Sequence, residues 1–233
     1  MAIKHDTVII VTAYNEADRL PATLAALRST FPTAHIVVAD DGSQDGSGEV
    51  ALGEGAQLVR SPKTIGKGGI ASMAAEQVIK DGPAVGSGDA GPLVILVDGD
   101  LAESAARLGP LIEPVLAGES DITIAVFARR VGGGFGFAVN FSRWATRSLA
   151  GIELVAPISG QRALTFDALR AVTPFAPRYG METAMNIDAV RAGLRLREVQ
   201  LELSHRATGK TLKGFLHRAA QLRDFVGVYL RRR

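Results

Sequence analysis

Along the first half of the chain, short unbroken apolar runs alternate with stretches whose apolar residues recur every three or four positions. Residues 7–12 (TVIIVT) form one such run. A continuous run, rather than a strictly alternating one, is what a strand covered on both faces requires. Residues 17–28 then read as a helix, with Leu20, Leu24 and Leu27 on one stripe. The strand pattern returns at 35–40, 57–60, 93–98 and 121–127, and the helical pattern at 46–52, 68–80 and 104–116. Residues 81–92, rich in Gly, Pro and Ser, read as a surface loop. The alternation predicts an α/β fold: a mainly parallel central sheet, right-handed crossovers and helices on both faces.

The second half is less regular. Residues 129–137 (RRVGGGFGF) hold too much glycine to keep one conformation unaided. Helices are predicted over 141–149 and 181–192, a turn at 157–160, and a half-exposed strand over 194–203, where apolar and polar residues nearly alternate. No repeat or linker interrupts the chain, which reads as one domain over 1–233: a first half to 101, a second from 102 to 211, and a basic C-terminal helix and tail from 212.

Composition narrows the class. Of 233 residues 47% are apolar and 21% charged, as in an ordinary globular protein. No apolar run nears the roughly 18 residues that span a bilayer. Lys4, His5 and Asp6 follow the start without an apolar stretch, so no secretory leader is expected and the location expected is cytoplasmic. The absence of cysteine excludes disulfides, thiol nucleophiles and iron–sulfur clusters. The net charge of +2 hides an asymmetry, +7 from residue 204 onward against −5 before it. An acidic body argues against nucleic acid, and the basic tail suits phosphates or an anionic membrane surface.

In open α/β sheets, ligands bind beyond the carboxyl ends of the strands. The first strand is followed by Ala13-Tyr14-Asn15-Glu16, the second ends in Asp40-Asp41-Gly42-Ser43-Gln44-Asp45, and the fourth in Asp98-Gly99-Asp100. Carboxylates gathered on one edge need a cation or hydrogen-bonding ligand groups among them. A dinucleotide site is excluded because the first loop has no glycine. Residues 204–211 (SHRATGKT) miss the first glycine of a phosphate-binding P-loop and come too late to build a sheet around it. An aspartyl-phosphate phosphatase would carry its Asp-x-Asp on the first strand.

The segments 11–16 (VTAYNE), 38–45 (VADDGSQD), 66–69 (GKGG) and 97–101 (VDGDL) resemble, in order and spacing, the successive motifs of family 2 glycosyltransferases. Residues 159–163 (SGQRA), 180–182 (GME) and 193–199 with Arg206, Gly209, Lys210 and Thr211 are similar to later segments of dolichyl-phosphate sugar synthases, and the C-terminal half is similar to glucosyl-3-phosphoglycerate synthases. The resemblance spans about 7–215 and implies the GT-A fold and a nucleotide-diphospho-sugar donor. It implies that Thr12, Tyr14 and Glu16 line base and ribose, that Asp40 and Asp41 read the base edge or ribose, and that Lys67 lies near the nucleotide. Asp98 and Asp100 would hold Mg²⁺ or Mn²⁺ against the diphosphate, Asp100 as the direct ligand, with His205 as a further ligand. Arg129 or Arg130, with Arg206 and Lys210, would face the diphosphate. Glu182 would deprotonate an acceptor hydroxyl or bind donor-sugar hydroxyls; the Glu-Asp pair of many inverting relatives is replaced by Glu182-Thr183, which leaves the stereochemistry open. Residues 132–136 would order over the donor.

Residues 212–230 carry Phe215, Leu216, Ala219, Leu222, Phe225, Val226, Tyr229 and Leu230 at helical spacing before Arg231-Arg232-Arg233. That helix either packs on the core with a solvated tail or touches the inner face of the membrane. The expected function is a metal-dependent transfer of a hexose from a nucleotide-diphospho-sugar, a UDP-sugar, to a lipid phosphate or small soluble acceptor. A retaining glucosyl-3-phosphoglycerate-synthase-like enzyme and a non-catalytic nucleotide-sugar-binding protein are the alternatives.

Overall fold

A computed structural model of the chain describes residues 6–82, 91–128, 137–203 and 212–233, with the backbone alone for 137 and 212–221. Seven strands form one sheet: β1 (Thr7–Ala13), β2 (His35–Asp40), β3 (Gln57–Arg60), β4 (Leu93–Asp98), β5 (Ile122–Phe127), β6 (Arg162–Leu164) and β7 (Leu196–Leu201). Among the described residues eight α-helices surround it: α1 (Leu20–Thr30), α2 (Ser47–Gly53), α3 (Lys67–Asp81), α4 (Gly109–Leu116), α5 (Phe137–Ala150), α6 (Phe166–Val172), α7 (Met181–Arg191) and α8 (Leu212–Arg232). The strand order is β3-β2-β1-β4-β6-β5-β7.

The apolar runs behave as a doubly covered sheet demands. Ile9, Val11, Ile36, Val38, Ile95 and Val97 point to one face, against Leu20, Leu24 and Leu27 of α1 and Leu111, Ile112 and Val115 of α4. Val8, Ile10, Val37, Ala39, Val94 and Leu96 point to the other, against Ile70, Ala71 and Ala74 of α3 and Met181 and Met185 of α7. Alternate side chains leave a strand on opposite faces, so two cores form from one unbroken run.

Two elements depart from the periodicity reading. Residues 102–107 wind as a 3-10 turn before the shorter α4, because Gly109 and Pro110 reset the helix there. Residues 162–164 form β6, a three-residue strand inserted antiparallel between β4 and β5, and α6 follows it behind a Thr165 cap whose side chain accepts from Ala168 N. A run this short carries no readable period. Its direction matters. Leu96 lies opposite Arg162, so the residues that precede β6 lie beside the carboxyl end of β4.

Glycines 66 and 68 let the start of α3 approach the 176–178 segment. Gly66 has φ 88°, and a Cβ on Gly68 would collide with the Ala176 carbonyl oxygen. That obstacle is backbone and cannot rotate away. Gly68→Ala is therefore expected to lower folding stability by about 2–3 kcal/mol, measured by urea denaturation, and to move the start of α3.

Candidate active site

The parallel register sets three strand ends side by side. Thr12 lies opposite Asp98 on one flank and Ala39 on the other, and Ala13 lies opposite Asp40. The loops after β1, β2 and β4 therefore share one edge, as expected for a ligand site in an α/β sheet.

Around Asp98 the parts come from four places in the sequence. Its Oδ1 lies 2.6 Å from Lys67 Nζ and accepts from Thr12 Oγ1 at 3.2 Å, while Oδ2 accepts from Gln161 Nε2 at 2.8 Å. The same Lys67 Nζ lies 2.8 Å from Oε1 of Glu182, which is buried in the first turn of α7. Gly160 packs directly over this group; a Cβ there would collide with Lys67 Nζ and sit 2.6 Å from Asp98 Oδ2. Lys67 and Gly160 are thus a matched pair, the ammonium filling the space that a side chain at 160 would take.

The electrostatics follow from that packing. Burial alone would raise the Asp98 carboxyl, but the Lys67 charge and the hydrogen bonds from Lys67, Gln161 and Thr12 outweigh it and hold the group below the usual carboxylate range. Burial alone would likewise lower the Lys67 ammonium, but Asp98 and Glu182 together raise it. Lys67 and Asp98 are thus held in their charged forms, and the ammonium stands between the carboxyl groups of Asp98 and Glu182.

The neighbouring loops are braced by their own polar side chains. Asp40 is fully buried, accepts from Ser43 N at 2.9 Å and pairs with Arg60 Nε at 3.1 Å. Asp41 accepts from Ile65 N at 2.7 Å and Gly66 N at 2.9 Å, tying the start of α3 to the end of β2. Asp45 accepts from Ser47 and Ala17, and the Glu16 amide donates to Ser47 Oγ. Burial would raise the Asp45 carboxyl, but those bonds lower it. Tyr14 stands at the rim, 51% exposed. Arg19 Nη1 donates to the Asp100 carbonyl and Thr23 Oγ1 to that of Gly99, both at 2.8 Å, so α1 fixes the turn that presents the Asp100 side chain. Non-glycine residues with positive φ, Asn15 (55°), Ala102 (49°) and Arg178 (57°), all lie in segments flanking this edge. A left-handed conformation at Ala or Arg costs on the order of 1 kcal/mol and persists where surrounding contacts hold it.

Sequence reasoning gave no role to Gln161, Arg162 or Asn186. Arg162 is fully buried; it donates to Ser159 O at 3.0 Å, Asn186 Oδ1 at 2.7 Å and Pro157 O at 3.2 Å. Burial lowers its guanidinium to about 10, against the opposing pull of Glu182 and Glu198. Asn186 Nδ2 also donates to Pro157 O, and Glu198 accepts from the amides of Val155 and Ala156. The 155–161 segment is thereby held from α7, β6 and β7 at once, and Gly160 and Gln161 are set against Asp98. The signal available in the sequence was the run 159–163, whose Gln and Arg follow the close-packed glycine.

Arg129, Arg130, the 132–136 loop, His205, Arg206 and Lys210 lie outside the described residues. Among the described residues no group of three or more His, Asp or Glu is arranged to hold a metal ion. Asp98 and Asp100 still suit a hard divalent cation in kind: oxygen donors two residues apart in a braced turn, with Asp98 held ionised.

Comparison with known proteins places this geometry in context. A family model described as "Glycosyl transferase family 2" matches residues 8–167. Undecaprenyl-phosphate mannosyltransferase of Micrococcus luteus is 29% identical over 219 residues, covering 87% of this chain and 85% of that protein. Among solved structures, glucosyl-3-phosphoglycerate synthase of Mycobacterium tuberculosis with Mn²⁺, UDP-glucose and glycerol 3-phosphate superposes with a TM-score of 0.76 at 23% identity, over 98% of this chain and 80% of that one. The same synthase with Mg²⁺ and UDP gives 0.76 at 22% identity, over 98% and 79%. The shared fold is the α/β architecture that the strand pattern predicts.

Removing the central cation is expected to be costly. Lys67→Met leaves Asp98 and Glu182 facing each other uncompensated and should lower stability by about 3 kcal/mol at pH 7, read by denaturant titration. The pH dependence has a definite sign. Asp98 titrates below its ordinary 3.8 when folded, so its stabilisation is full above that value and is lost as the pH falls through the folded value. Lys67 titrates above its ordinary 10.5 when folded, so its contribution is full below 10.5 and is lost as the pH rises through the folded value. Asp98→Asn should flatten the acid limb of a stability–pH profile relative to the parent chain.

Proposed function

The chain belongs to glycosyl transferase family 2, and on that premise we propose that it transfers a hexose from a nucleotide-diphospho-sugar, a UDP-sugar, to a phosphate acceptor carried on a lipid. The carrying observation is the Lys67 bridge between Asp98 and Glu182. It joins the strand-end carboxylate suited to the diphosphate side with the Glu182 carboxylate buried at the start of α7.

In this reading the nucleoside lies along the loops after β1 and β2, near Thr12, Tyr14 and Glu16, with Asp40 and Asp41 shaping the floor. Asp100, with Asp98 behind it, would hold Mg²⁺ or Mn²⁺, and phosphate oxygens and water would complete its shell. Such an ion neutralises the charge that builds on the departing nucleoside diphosphate. His205 is proposed as a further ligand of that ion, and Arg129, Arg206 and Lys210 are proposed to add positive charge around the diphosphate; all four lie outside the described residues. The chemical step forms a bond between an acceptor oxygen and the anomeric carbon, while the bond from that carbon to the β-phosphate oxygen breaks. Its electron pair leaves with the nucleoside diphosphate.

Oε1 of Glu182 is already engaged by the Lys67 ammonium at 2.8 Å. A phosphate acceptor needs no base, because its oxygen is already ionised near neutral pH. Glu182 is then assigned to accept from donor-sugar hydroxyls and orient the anomeric carbon. The 29% identity to an undecaprenyl-phosphate mannosyltransferase over most of both chains supports a lipid phosphate as the acceptor class.

Calorimetric titration of UDP, GDP, ADP and CDP, each with Mn²⁺ and again with EDTA, tests the donor side. UDP should bind best and only with the metal, and Asp100→Ala should weaken it at least about tenfold. Metal-independent or equal binding of all four would overturn the donor assignment. Transfer from UDP-glucose or another UDP-hexose to a short polyprenyl phosphate in detergent tests the acceptor. Glu182→Gln should lower kcat by roughly 100-fold with little change in UDP affinity.

A further inference from the structure

Away from the nucleotide edge, α5 and α8 pack against each other. Phe141 and Trp144 of α5 meet Tyr229 of α8, with ring centroids 6.4 Å and 4.7 Å from the tyrosine. Trp144 nevertheless stays 50% exposed, and Leu230 is 64% and Val226 36% exposed. Val226, Tyr229, Leu230 and Arg233 recur at three- and four-residue spacing and share one stripe of α8 and its end. Trp144, lying on Tyr229, continues that stripe onto α5, so the apolar residues form one patch.

The charge around the patch is mainly positive. Residues 137–150 and 212–233 together hold eight Lys or Arg and one acid, Asp224. Arg147, Arg223, Arg231 and Arg233 are exposed. Arg147 pairs with Glu153 at 2.9 Å and Arg223 with Asp224 at 3.3 Å, yet these side chains remain 71% and 65% exposed. Pairs that open to solvent hold their arginines weakly and release them readily to another anion. Arg232 is different; it is committed to Asp188 at 2.6 Å and faces the protein.

A half-exposed Trp beside Leu and Val, ringed by arginines, has the composition of a membrane–water interface: apolar groups enter the headgroup–acyl boundary and guanidinium groups meet lipid phosphates. The patch is also joined to the candidate active site. On α5, Ser142 Oγ lies 2.7 Å from Oγ1 of Thr183, the residue after Glu182.

We propose that the α5–α8 face docks on an anionic bilayer, with Trp144, Val226 and Leu230 entering the interface and Arg147, Arg223, Arg231 and Arg233 contacting lipid phosphates. This brings the Glu182 side of the site within one helix layer of the membrane. Its purpose rests on the lipid-phosphate acceptor proposed above, but the docking itself needs neither donor nor acceptor.

Trp144 is the chain's single tryptophan, so its emission reports this face alone. The full chain is mixed with vesicles of phosphatidylcholine, or of phosphatidylcholine with phosphatidylglycerol, and followed by emission and co-sedimentation. A blue shift with the phosphatidylglycerol vesicles, quenched by brominated acyl chains and reduced by salt, is expected. The double variant Val226→Glu/Leu230→Glu should lose at least about tenfold in vesicle affinity while retaining its parent nucleotide affinity. Arg231→Gln/Arg233→Gln should lose the preference for phosphatidylglycerol. No blue shift with phosphatidylglycerol vesicles, undiminished binding by the Val226/Leu230 variant, or a concentration-dependent dimer that buries Trp144 and excludes vesicles would each overturn the proposal. Docking without transfer to polyprenyl phosphate would sink the acceptor assignment and leave the surface standing.

Discussion

The ammonium of Lys67 is the interaction on which the site depends. It joins Asp98, at the end of a strand in the first half of the chain, to Glu182, at the start of a helix in the second. Without that charge Asp98 would lose the main interaction that offsets the cost of its burial. The arrangement needs close approaches on three sides. Gly66 and Gly68 let Lys67 open α3 against the 176–178 backbone, and Gly160 leaves room for the ammonium itself. A single added methyl group at 68 or 160 meets backbone or charge, so these glycines serve electrostatics through sterics.

Around this pairing, most polar side chains act on backbone rather than on one another. Asp41 holds the amides that open α3, Thr23 and Arg19 hold the carbonyls of the turn after β4, and Arg162 holds the carbonyls before β6. Each bond satisfies a group that the turn would otherwise leave unpaired, and each fixes the direction of a neighbouring carboxylate. Positive φ at Asn15, Ala102 and Arg178 fits the same picture, since well-braced loops can hold a backbone conformation that isolated chains avoid. The face built by α5 and α8 follows another logic. There Arg147 and Arg223 stay largely exposed despite their pairs and the apolar side chains are left uncovered, while Ser142 links the helix to Thr183.

Much of the architecture was legible in the pattern of residues. Six of the seven strands are read from the pattern, five as short apolar runs and β7 as a nearly alternating one, and the residues at or just after the ends of the first, second and fourth include Thr12, Asp40, Asp41, Asp98 and Asp100, all brought to one edge. Lys67 was placed near the nucleotide by the family resemblance of 66–69. Its two partners were not, since nothing local in 66–69 points to residue 98 or 182. Gln161 and Arg162 lay within a recognised segment, but their work depends on which way β6 runs, and three residues cannot encode that by period.

What the sequence determined by itself is therefore the parallel sheet, its two cores and the row of carboxylates at its edge, because strand burial and the end of an apolar run are local properties of the chain. The tertiary structure alone decided how that row is neutralised. An antiparallel β6 returns Gly160 and Gln161 to the end of β4, and α7 lowers Glu182 onto Lys67. Charge compensation in a buried site acts over a few ångströms of space, whatever the separation along the chain, and the fold is what sets those distances.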